Sequence, residues 1–221
     1  MESSKGYKGA GMEGFVARFY DKNARRYNAG LYREWAHNLA DQIETGSKVL
    51  EIAPGPGYLA IELVKRRNCN VVALEISKTF VSIAQANARD AGVDIDFRQG
   101  NASAMPFDDN EFDFVICTSS FKNFSEPLKA LNEMCRVLKP GGKAWISDLR
   151  RDISDDAIDN FVSRSMKARG LAGVFMKRTF KETLRPRAYT GGQFKDLVSG
   201  TEFRECLIKE NLIDFEASLQ K

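Results

Sequence analysis

Apolar residues recur along this chain in two alternating periods, and that alternation predicts most of the architecture. Val49-Leu50-Glu51-Ile52 is a short, β-branched apolar run of the kind that forms a buried strand. The run breaks at Pro54-Gly55-Pro56-Gly57 and resumes as Leu59, Ala60, Leu63 and Val64, spaced for one face of a helix. Asn70 to Glu75 reads as a second strand ending on an acid. Ser77 then caps a helix whose inner face is Phe80, Ala84, Ala88 and Ala91, with Gly92 as its stop. A third strand falls within Val93 to Gly100, and a fourth, the most apolar, spans Glu111 to Thr118. Ser125-Glu126-Pro127 opens a helix lined by Leu128, Leu131, Cys135 and Leu138. Lys139-Pro140-Gly141-Gly142 reverses the chain into a fifth strand, Lys143 to Leu149. Strand and helix in strict alternation predict an α/β fold with a doubly wound, mostly parallel sheet.

The flanks are patterned differently. Residues 12–27 place Phe15, Val16, Phe19 and Tyr20 at helical spacing, and Leu31, Trp35, Leu39 and Ile43 mark a second helix. The first ten residues, rich in Gly, Ser and Lys, are expected to stay disordered until something binds. After Arg150, a helix starts at Ser154-Asp155-Asp156, followed by an apolar, glycine-containing stretch from Leu171 to Phe180. Thr190-x-x-Gln193 is a capping box opening a short helix, and Phe203–Glu210 with Leu212–Leu219 form a closing hairpin. The resulting division is an N-terminal helical cap (1–44), a ligand-binding core (45–150), a lid insertion (151–190) and a C-terminal helix with hairpin (191–221).

A strand, a glycine turn and a helix in that order present a helix N-terminus to a ligand. Gly55-x-Gly57-x-x-Ala60 fits the dinucleotide pattern, and Glu75 lies where a ribose-binding acid would. Glu51 discriminates. A carboxylate about 4 Å from a phosphate costs roughly 1 kcal/mol in water and about 4 at an effective dielectric of 20. The same group favours a cation, and S-adenosylmethionine carries an ammonium and a sulfonium but no phosphate.

V-L-E-I-A-P-G-P-G-Y resembles the first motif, E/D-x-G-x-G-x-G, of the class I S-adenosylmethionine-dependent methyltransferases. The resemblance continues in order over residues 48–150 and implies a Rossmann-like, seven-stranded sheet with an antiparallel last strand, N-terminal helices and a small helical lid. It assigns cofactor contacts to Glu51, Ala53, Pro54, Gly55 and Gly57, with Glu75 on the ribose hydroxyls and Ile76 beside it. Asn101, Ala102 and Met105 would hold the adenine, and Thr118 would stand at the exit of the fourth strand. Ala53 replaces a motif glycine, which a small residue can do where the backbone needs no positive φ.

Composition narrows the partners. With 221 residues, 43% apolar and 29% charged, the chain is long enough for a substantial core. A net charge of +3 does not by itself imply nucleic acid. Four scattered cysteines and one histidine give no metal-ligand spacing, and they suit a cytoplasmic protein with reduced thiols. No apolar run approaches membrane-spanning length and the N-terminus lacks a signal-peptide core, so no membrane partner is expected. Monomer and homodimer stay open.

Methyl transfer from a sulfonium chiefly needs alignment and exclusion of water. No His-Asp pair or paired carboxylate appears near the turn, which leaves Lys122, Asn123, Tyr20, Tyr27 and His37 as candidates to polarise a substrate. The chain lacks the N/D-P-P-Y/F segment common among enzymes that methylate planar nitrogens. Between Arg164 and Arg187 lie eight basic residues against one acid, Glu182. That run is either a lid favouring an anionic small-molecule acceptor or a solvated helical face. Three functions follow: a small-molecule methyltransferase, an RNA or protein methyltransferase docking through 164–187, or a non-catalytic S-adenosylmethionine-binding protein. A nicotinamide dehydrogenase is opposed by Glu51.

Overall fold

A computed structural model describes residues 6–8 and 11–221 of the chain. The disorder expected for the first ten residues lies, apart from residues 6–8, outside the described residues. Seven strands form one sheet: β1 (Lys48–Ile52), β2 (Asn70–Glu75), β3 (Asp96–Gln99), β4 (Phe112–Thr118), β5 (Leu138–Leu149), β6 (Glu205–Glu210) and β7 (Asp214–Gln220). Their order is β3-β2-β1-β4-β5-β7-β6. All neighbours pair in parallel except β7, which runs antiparallel to both β5 and β6. The order reverses between β1 and β4, so a crevice opens beyond their carboxyl ends.

Side-chain alternation along β1 and β4 feeds two cores. Leu50, Ile52, Val115 and Cys117 pack on one face with α5 (Pro127–Val137) and α8 (Gly191–Ser199). Val49, Phe114 and Ile116 pack on the other with α2 (Ala29–Ala40), α3 (Tyr58–Arg66) and α4 (Lys78–Ala91). Local chemistry sets the helix ends. The Ser77 hydroxyl accepts from the Phe80 amide, Gly92 closes α4 at φ +69°, and Thr190 and Gln193 form a reciprocal capping box at α8.

Three details differ from the sequence reading. Ser125 caps nothing: Glu126 precedes α5, with no side-chain cap, and Pro127 occupies its first turn. Leu138 to Gly142 is already part of β5, joined across an irregularity in the pairing with β4. In α1 (Gly14–Tyr27), the buried positions are Ala17 and Ala24, while Phe15, Val16 and Phe19 are exposed. The small alanines let α1 lie close to the body, and Tyr20 sits edge-on against Phe80.

The segment expected to form a lid runs through α6 (Asp155–Asn160), a π-helical turn at Phe161–Ser165, α7 (Gly170–Thr179) and a second π-helical turn at Phe180–Leu184. It has its own small core of Leu149, Ile153, Ile158, Val162, Met166, Ala168 and Ala188, against which Tyr27 and Phe180 pack.

Replacing Thr190 with Ala removes one half of the α8 capping box and leaves the Gln193 amide without its side-chain acceptor. Urea denaturation should show a loss of about 1 kcal/mol with an unchanged m-value.

Candidate active-site crevice

The turn after β1 is strained and tightly seated. Gly57, ahead of α3, has φ +80°, and a Cβ there would lie 2.9 Å from Phe97 Cζ and 3.0 Å from Ala84 Cβ. Only glycine meets both constraints. Gly55 also has positive φ, at +56°. Ala53 corrects the sequence reading, because its φ is +54° and the motif alanine carries the left-handed backbone it was expected to avoid. The conformation costs roughly 1–2 kcal/mol for an L-residue. It is held by the Ala53 amide, which donates to the Leu74 carbonyl at 2.8 Å.

Two carboxylates stand beside this turn. Glu75, at the end of β2, accepts from the Gly55 amide at 3.0 Å and the Ser77 amide at 2.9 Å. Burial pushes its carboxyl up and the amides pull it down, with burial prevailing. Glu51 is 2% exposed, and its Oε2 has no hydrogen-bond partner. Burial first, and the nearby Glu75 charge after it, push the Glu51 carboxyl up to about 8 against a partial counter-effect of the Ala60 amide. No ion pair reaches Glu51 among the described residues. The Tyr20 and Tyr32 phenols are raised by burial, with Glu75 a further raising influence on Tyr20 and Glu51 on Tyr32.

The loop after β3 is braced from α5. Arg136 donates to the carbonyls of Met105 and Phe107, and Glu133 accepts from the Met105 amide at 2.6 Å. Met105 is buried in the core cluster, whereas Ala102 and Ile76 are only half-buried. Asn101 turns the loop by accepting from the Ser103 amide through Oδ1 at 2.9 Å. Residues 6–8 cross this end of the crevice. Tyr7 bridges to Phe124, and the Lys8 amide donates to the Asn123 carbonyl at 2.7 Å. A Cβ on Gly6 would lie 2.7 Å from Ile76 Cδ1 and 2.8 Å from Asn101 Oδ1. So close an approach needs glycine.

At the exit of β4 the candidates separate. Thr118 is buried at the strand end. Lys122 is 4% exposed, and its ammonium donates to Asp148 Oδ1 at 2.7 Å and to the Ser119 carbonyl. It is bound in an internal pair. Asn123 is also buried, and Arg187 reaches its Oδ1 at 3.5 Å. Tyr7 is influenced by Arg187, Glu75 and Asp148, which brings the strap, both strand ends and the lid's last arginine to one place. Tyr20 belongs to the same crevice, beside Tyr7 and Glu75. Tyr27 instead packs against the lid core with Arg26 over its ring. His37 is exposed on α2, away from all of them. Sequence reasoning missed Tyr7, Tyr32 and Asp148 as crevice residues, and held Arg187 only as one of the eight cations of the basic run. The acid near the end of the fifth strand was the one available signal, for Asp148.

A parallel sheet reversing between β1 and β4, with an acid at the end of each of β1 and β2 and a glycine turn between them, defines a Rossmann-like methyltransferase crevice. Residues 50–146 match the methyltransferase domain family. The chain is 34% identical over 154 residues to a ubiquinone/menaquinone biosynthesis C-methyltransferase of Chromobacterium violaceum, covering 68% of this chain and 63% of that one. It is 36% identical over 142 residues to a demethylmenaquinone methyltransferase of Renibacterium salmoninarum, covering 60% and 58%. The chain thus spans less than two thirds of the length of these relatives. The crystal structure of a candidate S-adenosyl-L-methionine-dependent methyltransferase from Methanococcus maripaludis shares the fold at a TM-score of 0.77 and 21% identity, over 97% of this chain and 95% of that one. Residues 50–146 of the chain thus carry a methyltransferase domain, on a fold shared with a methyltransferase structure.

Because the folded Glu51 carboxyl holds its proton up to about pH 8 and an unfolded one releases it near 4.5, the ligand-free fold binds the extra proton in between. Stability should therefore fall as pH rises from 5 to 8, by at most about 1.4 kcal/mol per unit from this group. Urea midpoints of the wild type minus those of Glu51→Gln isolate the effect. A difference that does not vary with pH would contradict the burial of an uncompensated carboxyl.

Proposed function

We propose that this chain transfers the methyl group of S-adenosylmethionine to a small-molecule acceptor, and that the acceptor is a quinol-type ring methylated at carbon. The observation that carries the donor assignment is Glu51, a buried carboxylate with an unpartnered oxygen at the crevice end of β1. A cationic donor compensates that charge, whereas a pyrophosphate would meet it unfavourably. The quinol reading rests on the names of the relatives from Chromobacterium and Renibacterium.

The residues divide the work. Glu51 stands for the donor's ammonium, and Glu75 keeps lone pairs free for ribose hydroxyls after accepting its two amides. Ile76, Ala102 and Asn101 form the adenine end, with Met105 supporting them from the core. The backbone from Ala53 through Pro54 and Gly55 to Gly57 gives the donor its close approach, and Thr118 marks the sulfonium side. When bound, the donor would supply an electrophilic methyl group to the acceptor's ring carbon, the electrons of the carbon–sulfur bond staying on sulfur and the displaced ring proton passing to solvent. Tyr7 excludes water over the crevice. Arg187, half-buried and in no ion pair among the described residues, faces the acceptor's ring oxygen and favours its anionic form, which feeds electron density to the attacking carbon. Lys122 is a positioning residue, since Asp148 and the Ser119 carbonyl occupy it. The chain's free cysteines, three of them buried, support a cytoplasmic setting.

The RNA or protein alternative loses part of its docking strip, because three of the eight cations, Arg178, Lys181 and Arg185, are paired with Glu182, Asp155 and Asp159. Calorimetry should detect S-adenosylmethionine and not NAD, with affinity rising toward pH 8 and a proton released on binding as Glu51 ionises. Glu75→Gln should weaken donor binding by about 1.5–3 kcal/mol. Mass spectrometry of a prenylated naphthohydroquinone lacking its ring methyl should then show gain of one methyl group. Tight NAD binding would overturn the donor, and methylation of phenol oxygens alone would overturn the carbon acceptor.

A further inference from the structure

Two helices of this fold are turned inside out. A surface helix ordinarily buries its large apolar residues and exposes its polar ones. In α1 the buried residues are Ala17 and Ala24, while Phe15 is 81% exposed and stacks outside the body on Phe19, at 6.3 Å between ring centroids. The orientation is fixed rather than accidental. Glu13, just ahead of α1, accepts from the Lys78 amide at 3.0 Å and the Thr79 amide at 3.1 Å, which locks α1 to the start of α4. The only acid of α1, Asp21, is turned inward to the Tyr58 hydroxyl and the Asn87 side chain. The outward side therefore carries Phe15, Val16 and Phe19 followed by Arg18, Lys22, Arg25 and Arg26, all exposed.

The lid repeats the arrangement in α7. Gly173 is buried, and a Cβ there would lie 2.8 Å from the Ala168 carbonyl oxygen, so the helix presses its glycine inward. Leu171 (89% exposed), Val174 and Phe175 then form an outward stripe at helical spacing. Arg164, Lys167 and Arg169 are exposed beside it, and no ion pair involves them or Lys177 among the described residues. A groove of about 660 Å³ runs along this stripe between Arg169 and Lys177. Of the nine large apolar residues exposed among the described residues, six belong to these two helices, and α1 meets the lid core through Tyr27.

We propose that the outer faces of α1 and α7 dock this protein onto a bilayer containing anionic phospholipid, with Phe15, Val16, Phe19, Leu171, Val174 and Phe175 entering the interface and the unpaired Arg and Lys side chains on the headgroups. An interfacial helix pairs an apolar stripe with a cationic flank and needs no spanning segment. The sequence expectation of no membrane partner excluded only a spanning run, and no helix of the described residues is long and apolar enough to cross a membrane. Charge selects the bilayer over a second copy of the chain. An isologous dimer would set these unpaired cations against their own equivalents, whereas anionic lipid complements them.

Flotation of the full chain with phosphatidylcholine–phosphatidylglycerol vesicles, and with phosphatidylcholine vesicles alone, tests the proposal without donor or acceptor. A failure of methyl transfer therefore leaves this measurement untouched. The protein should bind the mixed vesicles about tenfold or more tightly than the neutral ones, and added salt should release it. Phe15→Ser with Phe19→Ser, and separately Leu171→Ser with Phe175→Ser, should each weaken vesicle binding by about tenfold or more while circular dichroism and donor binding stay unchanged. Absence of vesicle binding, equal binding to both vesicle types, or unchanged binding by both double variants would overturn it. Sedimentation as a dimer that Phe15→Ser with Phe19→Ser dissociates would assign the face to a second copy instead. Salt-sensitive RNA binding in place of vesicle binding would also overturn it.

Discussion

The crevice depends on a buried carboxyl that no cation answers among the described residues. Glu51 and Glu75 stand near the ends of adjacent strands; Glu75 accepts from two backbone amides, whereas Glu51 keeps one oxygen without a partner. The nearest buried ammonium, that of Lys122, is committed to Asp148. An uncompensated buried carboxyl is expensive, and it persists only where something other than the fold benefits from it.

Backbone strain is distributed by the same logic. Four non-glycine residues among the described ones have positive φ, and two of them, Ala53 and Ser119, directly follow β1 and β4. These strands flank the reversal in sheet order. At both positions the strained unit is tied down by a hydrogen bond, the Ala53 amide to Leu74 and the Ser119 carbonyl to the Lys122 ammonium. A fold tolerates such conformations where the surroundings over-determine them. Here the surroundings are the ordered sheet below and the seated Gly57 beside it.

What could be read from the sequence was what local chemistry decides. Ser77, Gly92, Thr190 and Gln193 act on backbone groups within a few residues, so spacing alone located them. The turn from Val49 to Ala60 was legible because strand, glycines and helix are contiguous. The sign of φ at Ala53 was not, since tertiary packing, not the identity of a small residue, forces it. Nor was the outward face of α1: period 3.6 marks which residues share a face, and both the phenylalanines and the alanines do. Asp148 was illegible, and Arg187 was not set apart from the rest of its basic run, for a third reason. Their partners, Lys122 and Asn123, lie 26 and 64 residues away.

The basic run from Arg164 to Arg187 shows why a charge count cannot be read as one property. On the chain its eight cations look equivalent; in the fold they take three different positions. Arg178, Lys181 and Arg185 are spent on acids and brace the lid. Arg187 turns into the crevice, and the rest point outward beside Leu171 and Phe175. On the readings proposed above, a segment so divided would set an inner side toward the acceptor's ring oxygen and an outer side toward an anionic lipid interface. For an acceptor carrying a long prenyl chain the two sides belong to one problem, because such a molecule dissolves in lipid and must reach the donor without crossing water. On that reading, the exposure of Leu171 and Phe175 and the burial of Glu51 answer the two ends of a single path.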